Sequence, residues 1–234
     1  MTKDRHQYTI YHAGDIFDFK HLVGNEALAK AIKKVSSGRF QCTLPQDLEQ
    51  TDFRSSAIKD NDLFVLAKSD LALFNFDGTE LDSGTVVEFI VAKMLNIPSV
   101  ILRTDFREGG DQNKDGDPWN LMVSNYPYTE TVKLHSMKLY QSEGTKDMIT
   151  LTADAVIGAF DRLLDKIKHE HFEANKVPSR DCYAIYEKYD WVLRNCSQSL
   201  RDKFNVTSSL SGDCDELLSL VNDKYLKFCL PPSK

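Results

Sequence analysis

The segment FNFDGTELDSGTVVEF, residues 74–89, concentrates acidic side chains where a sheet is expected to end. Its apolar start predicts a buried strand, followed by a loop with Asp77, Glu80 and Asp82 and by a helix that carries Glu88. Binding sites of open α/β sheets lie outside the carboxyl ends of the strands, which is where this loop falls. We expect Glu88 in the first helical turn, where the helix dipole favours an ionised carboxylate. Such a carboxylate beside a sugar can act as a nucleophile or stabilise a developing positive charge.

The same letters also fit a purely structural pattern. Thr85-x-x-Glu88 is the pattern of a capping box, in which Thr85 begins the helix and the Glu88 side chain bonds back to its backbone. Local sequence supports the chemical and the capping interpretation equally.

Two further side chains stand where a polar group needs a reason. Asp62 shares a helical stripe with Ile58, Val65 and Leu66, and a carboxylate on the core side is costly unless it is paired or used. The alternative is that Asp62 bonds neighbouring backbone. Tyr11 ends the first predicted strand, at the same sheet edge as the Glu88 loop. The alternative there is a packing residue with a solvated hydroxyl.

The elements that must position these residues alternate between strand and helix. Short apolar runs predict strands at 8–12, 40–44, 71–76 and 99–103, and helical spacing predicts helices at 25–35, 55–68, 85–95 and 153–167. Such alternation predicts an α/β fold, a flavodoxin-like or Rossmann-like doubly wound parallel sheet with helices on both faces. We expect residues 1–170 to form this domain.

Two regions lie outside the alternating pattern. Residues 105–118 form a polar, glycine-rich loop whose DQNKDGD imitates the start of a calcium loop, but the twelfth position from Asp111 is Met122 rather than glutamate, so we expect a loop and no metal. Residues 171–234 predict a helical C-terminal extension with two amphipathic helices, a cap or an assembly element.

Composition excludes several functional classes. The formal net charge of −6 disfavours binding of a nucleic acid polymer, which needs clustered lysine and arginine. No apolar stretch approaches the roughly 20 residues of a membrane span, and the N-terminus lacks the apolar run of a signal peptide. The five cysteines form no CxxC pair, which disfavours zinc and redox sites. We expect a cytoplasmic protein that needs no cofactor.

Several segments, in order, carry a resemblance to the nucleoside 2-deoxyribosyltransferase family. TIYHAGDIF resembles the family's opening strand with its tyrosine, glycine turn and aromatic residue. LPQD resembles the exit of the second strand, and Asn61-Asp62 followed by LDSGTVVE has the family's order and spacing. PWNLM resembles the family's Asn-Leu-Met segment. The resemblance covers about residues 8–167.

The resemblance implies a role for each matching residue. Glu88 would be the nucleophile, Tyr11 would orient it, and Asp62 would bind the base and protonate it as it leaves. The substrate-binding residues would include one for the 5'-hydroxyl, one for the base edge and two at the opening turn: Asp82, Gln46, Gly14 and Phe17. Ligands would be 2'-deoxynucleosides and free nucleobases.

The family resemblance also implies assembly. Asn120 would complete a neighbouring subunit's site in a homo-oligomer, and we expect Trp119 beside it to be an exposed interface anchor. Three activities stay open: transfer of 2-deoxyribose between bases, hydrolysis of deoxynucleosides or their 5'-monophosphates, and non-catalytic nucleotide sensing. The sequence does not separate purine from pyrimidine bases.

Overall fold

The computed structural model describes residues 6–48, 55–107 and 116–173, together with 219–220, 223–224 and 227–228. Its elements alternate as expected along the first part of the chain. Their bounds are β1 (Tyr8–Ala13), α1 (Phe19–Val35), β2 (Phe40–Thr43), α2 (Ser55–Lys68), β3 (Leu71–Asn75), α3 (Ser83–Met94), β4 (Ser99–Arg103), β5 (Thr129–Lys133) and α4 (Ser136–Glu173), with short 3-10 helices at Pro45–Asp47 and Leu121–Val123.

The five strands form one parallel sheet in the order β2-β1-β3-β4-β5. This is the flavodoxin-like order, and it confirms the predicted doubly wound α/β class. The strand order reverses between β1 and β3, where Tyr11 lies opposite Ala72 in the register. Connections leave this point in opposite directions, so a crevice opens at the carboxyl ends of β1 and β3.

Helices cover both faces of the sheet. One apolar cluster packs β1 and β3 side chains such as Tyr11 and Phe74 beneath α2 and α3, and a second packs Ile10 and Leu73 beneath α1 and α4. Because side chains alternate along a strand, neighbouring residues of β1 and β3 enter different clusters. Burial on both faces explains why these strands are continuously apolar.

Two elements differ from the sequence prediction. Helix α1 begins at Phe19, six residues before the predicted start, because Asp18 caps it by accepting from the backbone amides of Lys20 and His21. Its first turn exposes Phe19 and so shows no periodicity. Strand β5 was not predicted, since TETVK is an edge strand that pairs only with β4 among the described strands and buries mainly Val132.

The predicted closing helix is confirmed within α4, where its apolar residues are buried: Val156, Phe160, Leu163, Leu164 and Ile167. Helix α4 is two helical stretches joined at Gly144, whose φ of 73° suits glycine. Loop residues 108–115 and the predicted tail helix at 185–196 lie outside the described residues. Within the part of the chain that is described, no helix combines the length and the apolar character that a membrane span requires.

Candidate active site

A hydrogen bond joins the two elements that meet at the reversal of strand order. The hydroxyl of Tyr11, on β1, donates to Oε1 of Glu88, on α3, over 2.6 Å. Tyr11 is fully buried, so its hydroxyl is not the solvated tip of a packing residue. Burial and the neighbouring Glu88 carboxylate raise the Tyr11 pKa far above its usual value. Tyr11 therefore stays protonated and acts as a permanent donor to Glu88.

The Glu88 carboxyl is held in a poorly solvated position. Burial raises its pKa to about 7, the Tyr11 hydrogen bond opposes this shift, and the charges of Asp62 and Asp82 add to it. The expected effect of the helix dipole is wrong, because α3 begins at Ser83 and Glu88 lies in its second turn, beyond the strongest part of the dipole. Near neutral pH the carboxyl can therefore exchange its proton.

Asp82, rather than Thr85, caps helix α3. Oδ2 of Asp82 accepts from the backbone amide of Thr85 at 2.7 Å and from its hydroxyl at 2.8 Å. The capping-box interpretation of Glu88 is therefore wrong: Thr85 lies inside the helix, and Glu88 bonds to Tyr11. Asp82 fixes the start of α3 and so the direction in which Glu88 points.

Asp62 lies on α2, whose bounds match the prediction at both ends. Its Oδ1 is buried and has no hydrogen-bond partner among the described residues, which disfavours the alternative that this oxygen bonds neighbouring backbone. Burial raises its pKa to about 6, and it is close enough to shift the pKa of both Tyr11 and Glu88. Asp62 therefore places a buried carboxyl oxygen with an unfilled hydrogen bond near the Tyr11–Glu88 pair.

The turn after β1 forms one wall of this edge. A Cβ atom on Gly14 would lie 3.2 Å from Cβ of Asn75, so a larger residue here would require Asn75 to shift by a few tenths of an ångström. Three residues later, Phe17 is 80% exposed. An exposed aromatic ring on the loop beside a polar site can stack on a planar ligand.

Gln46 lies in the 3-10 helix Pro45–Asp47 that follows β2. Its Nε2 donates to the carbonyl of Leu22 at 3.0 Å, which fixes the side chain against α1. Its Oε1 is buried without a hydrogen-bond partner among the described residues. Gln46 thus presents a fixed, unsatisfied acceptor after β2, next to β1 in the sheet.

Asn120 and Trp119 differ in their exposure. Trp119 is buried and packs edge-to-face on Phe76, so the expectation of an exposed interface anchor is wrong. Asn120 is exposed and caps the 3-10 helix Leu121–Val123, with Oδ1 accepting from the Met122 amide at 2.9 Å. It lines a cavity of about 440 Å³, and Tyr11, Asp62 and Glu88 are not among the residues that line this cavity.

A second polar network, formed by Arg103 and Asp77, holds the loops that follow β3 and β4. Arg103, at the end of β4, donates to the carbonyls of Phe76 and Gly78 and so holds the loop after β3. The Asp77 carboxylate accepts from the amide and hydroxyl of Thr104 and from the amide of Asp105. This network was not predicted from the sequence, although the arginine that ends the apolar run SVILR is a visible signal.

The geometry brings together a carboxylate with a fixed donor and a second carboxyl group of raised pKa. The first can serve as a nucleophile, and the second can carry a proton to or from a ligand. No group of three or more metal-ligating side chains occurs within the described ranges.

Residues 10–122 match the model of a family described as nucleoside 2-deoxyribosyltransferase. This part of the chain, just under half of its 234 residues, is similar to that family. The matched range includes Tyr11, Asp62, Asp82, Glu88 and Asn120. Strand β5, helix α4 and the C-terminal residues follow the matched range.

Solved structures similar to this chain come from several organisms. A conserved protein from Enterococcus faecalis is 25% identical, with a TM-score of 0.46, over 57% of this chain and 95% of its own. A 2-deoxyribosyltransferase from Leishmania mexicana is 22% identical, with a TM-score of 0.41, over 50% of this chain and 86% of its own. A 2-deoxyribosyltransferase from Bacillus psychrosaccharolyticus is 15% identical, with a TM-score of 0.42, over 60% of this chain and 95% of its own. No curated protein matches the chain.

Proposed function

We propose that this chain transfers 2-deoxyribose between nucleobases by a retaining double displacement through Glu88. The observation that carries the proposal is the Tyr11–Glu88 hydrogen bond at the reversal of strand order, with the unsatisfied Oδ1 of Asp62 nearby. The similarity of residues 10–122 to the nucleoside 2-deoxyribosyltransferase family suggests the substrate class, 2'-deoxynucleosides and free nucleobases.

In the first displacement, a Glu88 oxygen attacks the anomeric carbon of the bound deoxynucleoside. The bond between this carbon and the base nitrogen breaks, and its electron pair leaves with the base. Asp62, when protonated, transfers its proton to that base. Because Tyr11 holds Oε1 of Glu88, we assign the attack to Oε2. The product is a deoxyribosyl ester on Glu88.

In the second displacement, a nitrogen of the incoming base attacks the same carbon. The ester bond breaks and returns the electron pair to Glu88, while the proton lost by the incoming base passes to Asp62. Two inversions give net retention. The groups that move a proton or form a bond are side chains of the chain and atoms of the substrate, so the reaction needs no cofactor.

Asp82 and the opening turn would select the substrate. The capping bonds of Asp82 use Oδ2, which leaves Oδ1 to accept from a sugar 5'-hydroxyl. A 5'-phosphate would meet this carboxylate with like charge, which disfavours monophosphates. Phe17 would stack on the base, and Gln46 would accept from its edge through Oε1.

One experiment separates transfer from hydrolysis. The protein is mixed with thymidine and adenine, and the products are separated by chromatography. We expect deoxyadenosine and thymine, with thymidine 5'-monophosphate a much poorer donor. Free deoxyribose with no deoxyadenosine would show that the chain is a hydrolase. If no combination of a deoxynucleoside donor and a free base gave a product, a non-catalytic sensing module would be favoured.

We also propose a homo-oligomer in which Asn120 completes a neighbour's site. Asn120, Leu121 and Met122 are exposed, and Glu88 is not among the residues that line the cavity bordered by Asn120 and Met122. Mixing inactive Glu88→Ala with inactive Asn120→Ala under conditions of subunit exchange should restore activity. Absence of recovery despite measured exchange would show that Asn120 does not act between subunits.

A further inference from the structure

Part of the C-terminal extension lies against the edge of the sheet opposite the candidate site. Residues 219–220, 223–224 and 227–228, here called the C-terminal segment, are helical where described. Leu220 packs against the cluster beneath α2 and α3, and Phe228 packs against the cluster beneath α1 and α4. Between these two residues, Lys224 and Lys227 bond to Ala67, Ser69 and Asp70, which lie at the end of α2 and directly before β3. The segment therefore crosses the amino edge of the sheet.

Lys224 fastens this segment to the end of α2. It is 8% exposed, and its Nζ donates to the carbonyl oxygens of Ala67 at 2.5 Å and Ser69 at 2.6 Å. These carbonyls belong to the last turn of α2 and the residue just beyond it, where helix carbonyls lack internal partners. Burial lowers the pKa of Lys224 to about 7, and its amino group can donate to both carbonyls in the charged or the neutral form.

The following turn of the segment contacts Tyr8 of β1 and Asp70, the residue directly before β3. Nζ of Lys227 donates to Oδ2 of Asp70 at 2.8 Å, and its carbonyl accepts from the Tyr8 hydroxyl at 3.3 Å. The ring of Phe228 stacks on Tyr8 with 6.0 Å between centroids and 12° between planes. The α2 contacts and the β1 contacts therefore involve different side chains and can be tested separately.

We propose that the C-terminal segment is a clip that fixes the carboxyl end of α2, and thereby holds Asp62 in place relative to Glu88. Asp62 precedes Ala67 by five residues on the same helix, a rise of about 7.5 Å. A displacement of the helix end therefore moves the carboxyl group with it. Lys224 is a positioning residue, and its effect on turnover rests on the proposed role of Asp62.

The test compares Lys224→Met with the matched variant Phe228→Ala in the full-length protein, by hydrogen exchange and by kinetics. Lys224→Met should speed amide exchange in residues 60–70 by about tenfold or more and leave residues 83–94 unchanged. It should lower kcat more than it raises KM, most for poorly leaving bases. Phe228→Ala should lower the melting temperature without selective exchange in α2.

Exchange in α2 that is the same in both variants would overturn the clip. Because exchange does not depend on catalysis, it separates this failure from failure of the proposed reaction. If Lys224→Met does not fold, wild-type exchange in graded denaturant decides the question. Residues 60–70 and 219–228 should then open as one unit. Opening of 219–228 at lower denaturant, with residues 60–70 still protected, would overturn it as well.

Discussion

Asp62 and Asp70 lie eight residues apart, but their carboxyl groups differ in their hydrogen-bond partners. At the amino edge, the Asp70 side chain is 4% exposed and its Oδ2 accepts from the amide and hydroxyl of Thr9 and from Lys227. At the carboxyl edge, Oδ1 of Asp62 is buried with no partner among the described residues. Burial raises the pKa of Asp62 to about 6.

The contrast teaches that burial alone does not mark a functional carboxylate. A buried carboxylate with its acceptor capacity filled stabilises the fold, whereas one left unsatisfied costs free energy that the fold must supply elsewhere. Asp77 strengthens the point, because it lies at the same edge as Asp62 but has its hydrogen bonds filled by Thr104 and Asp105.

The largest effect is expected from Glu88→Ala. Turnover should fall by roughly 10⁴-fold or more, because no covalent ester can form. The free energy of unfolding should change by no more than about 2 kcal/mol, since Tyr11 loses one partner while a poorly solvated carboxylate is removed. Glu80→Ala is the matched control, an exposed glutamate in the same loop. Equal turnover of the two variants would contradict the assignment of the nucleophile.

The next effect is expected from Asp62→Asn, which removes the proposed proton donor. Turnover should fall about 100-fold or more for poorly leaving bases and much less for activated ones. The Glu88 pKa should also fall, because a neighbouring negative charge is lost. A loss of the same size for every leaving group would make Asp62 a structural residue like Asp70.

Asp70→Ala should show the opposite profile. It leaves the Thr9 amide, the Thr9 hydroxyl and Nζ of Lys227 without this acceptor, at a cost of about 2–3 kcal/mol in the free energy of unfolding. Turnover of the folded protein should stay within about threefold, because the Lys224 contacts to α2 remain. Denaturant unfolding and kinetics measure both quantities; a large kinetic loss with unchanged stability would break the comparison.

A further effect is expected in the pH profile of Tyr11→Phe. The productive form has Glu88 ionised and Asp62 protonated. The pKa of Glu88 is about 7 and that of Asp62 about 6, so when the pair carries one proton, the proton is mostly on Glu88. The productive form is therefore the minor one of the two singly protonated forms. The pH profile of kcat/KM should therefore be bell-shaped, with limbs near these two values.

The Tyr11 hydrogen bond lowers the Glu88 pKa, so its loss raises that pKa. The alkaline limb should then move to higher pH, while the maximum falls by about tenfold for each pKa unit gained, because the productive share of the pair shrinks. An alkaline limb that stays in place would show that Tyr11 does not control the charge of Glu88.

The amino-acid sequence alone is enough to predict the α/β class, because continuous apolar runs and helical spacing reflect burial on both faces of the sheet. The bounds of α2 and β4 followed directly from these patterns. It also indicated Tyr11, Asp62 and Glu88, each a polar group in a position where packing alone gives no reason for one.

Which polar groups have hydrogen-bond partners could not be predicted from the sequence, because the partners lie far apart along the chain and meet only in the folded structure. Tyr11 and Glu88 are 77 residues apart, and Lys224 and Ala67 are 157 apart. The cap at Asp82, the burial of Trp119 and the edge strand β5 likewise depend on neighbours that no local pattern contains. Local periodicity specifies an element, whereas its contacts across the fold specify what each side chain is free to do.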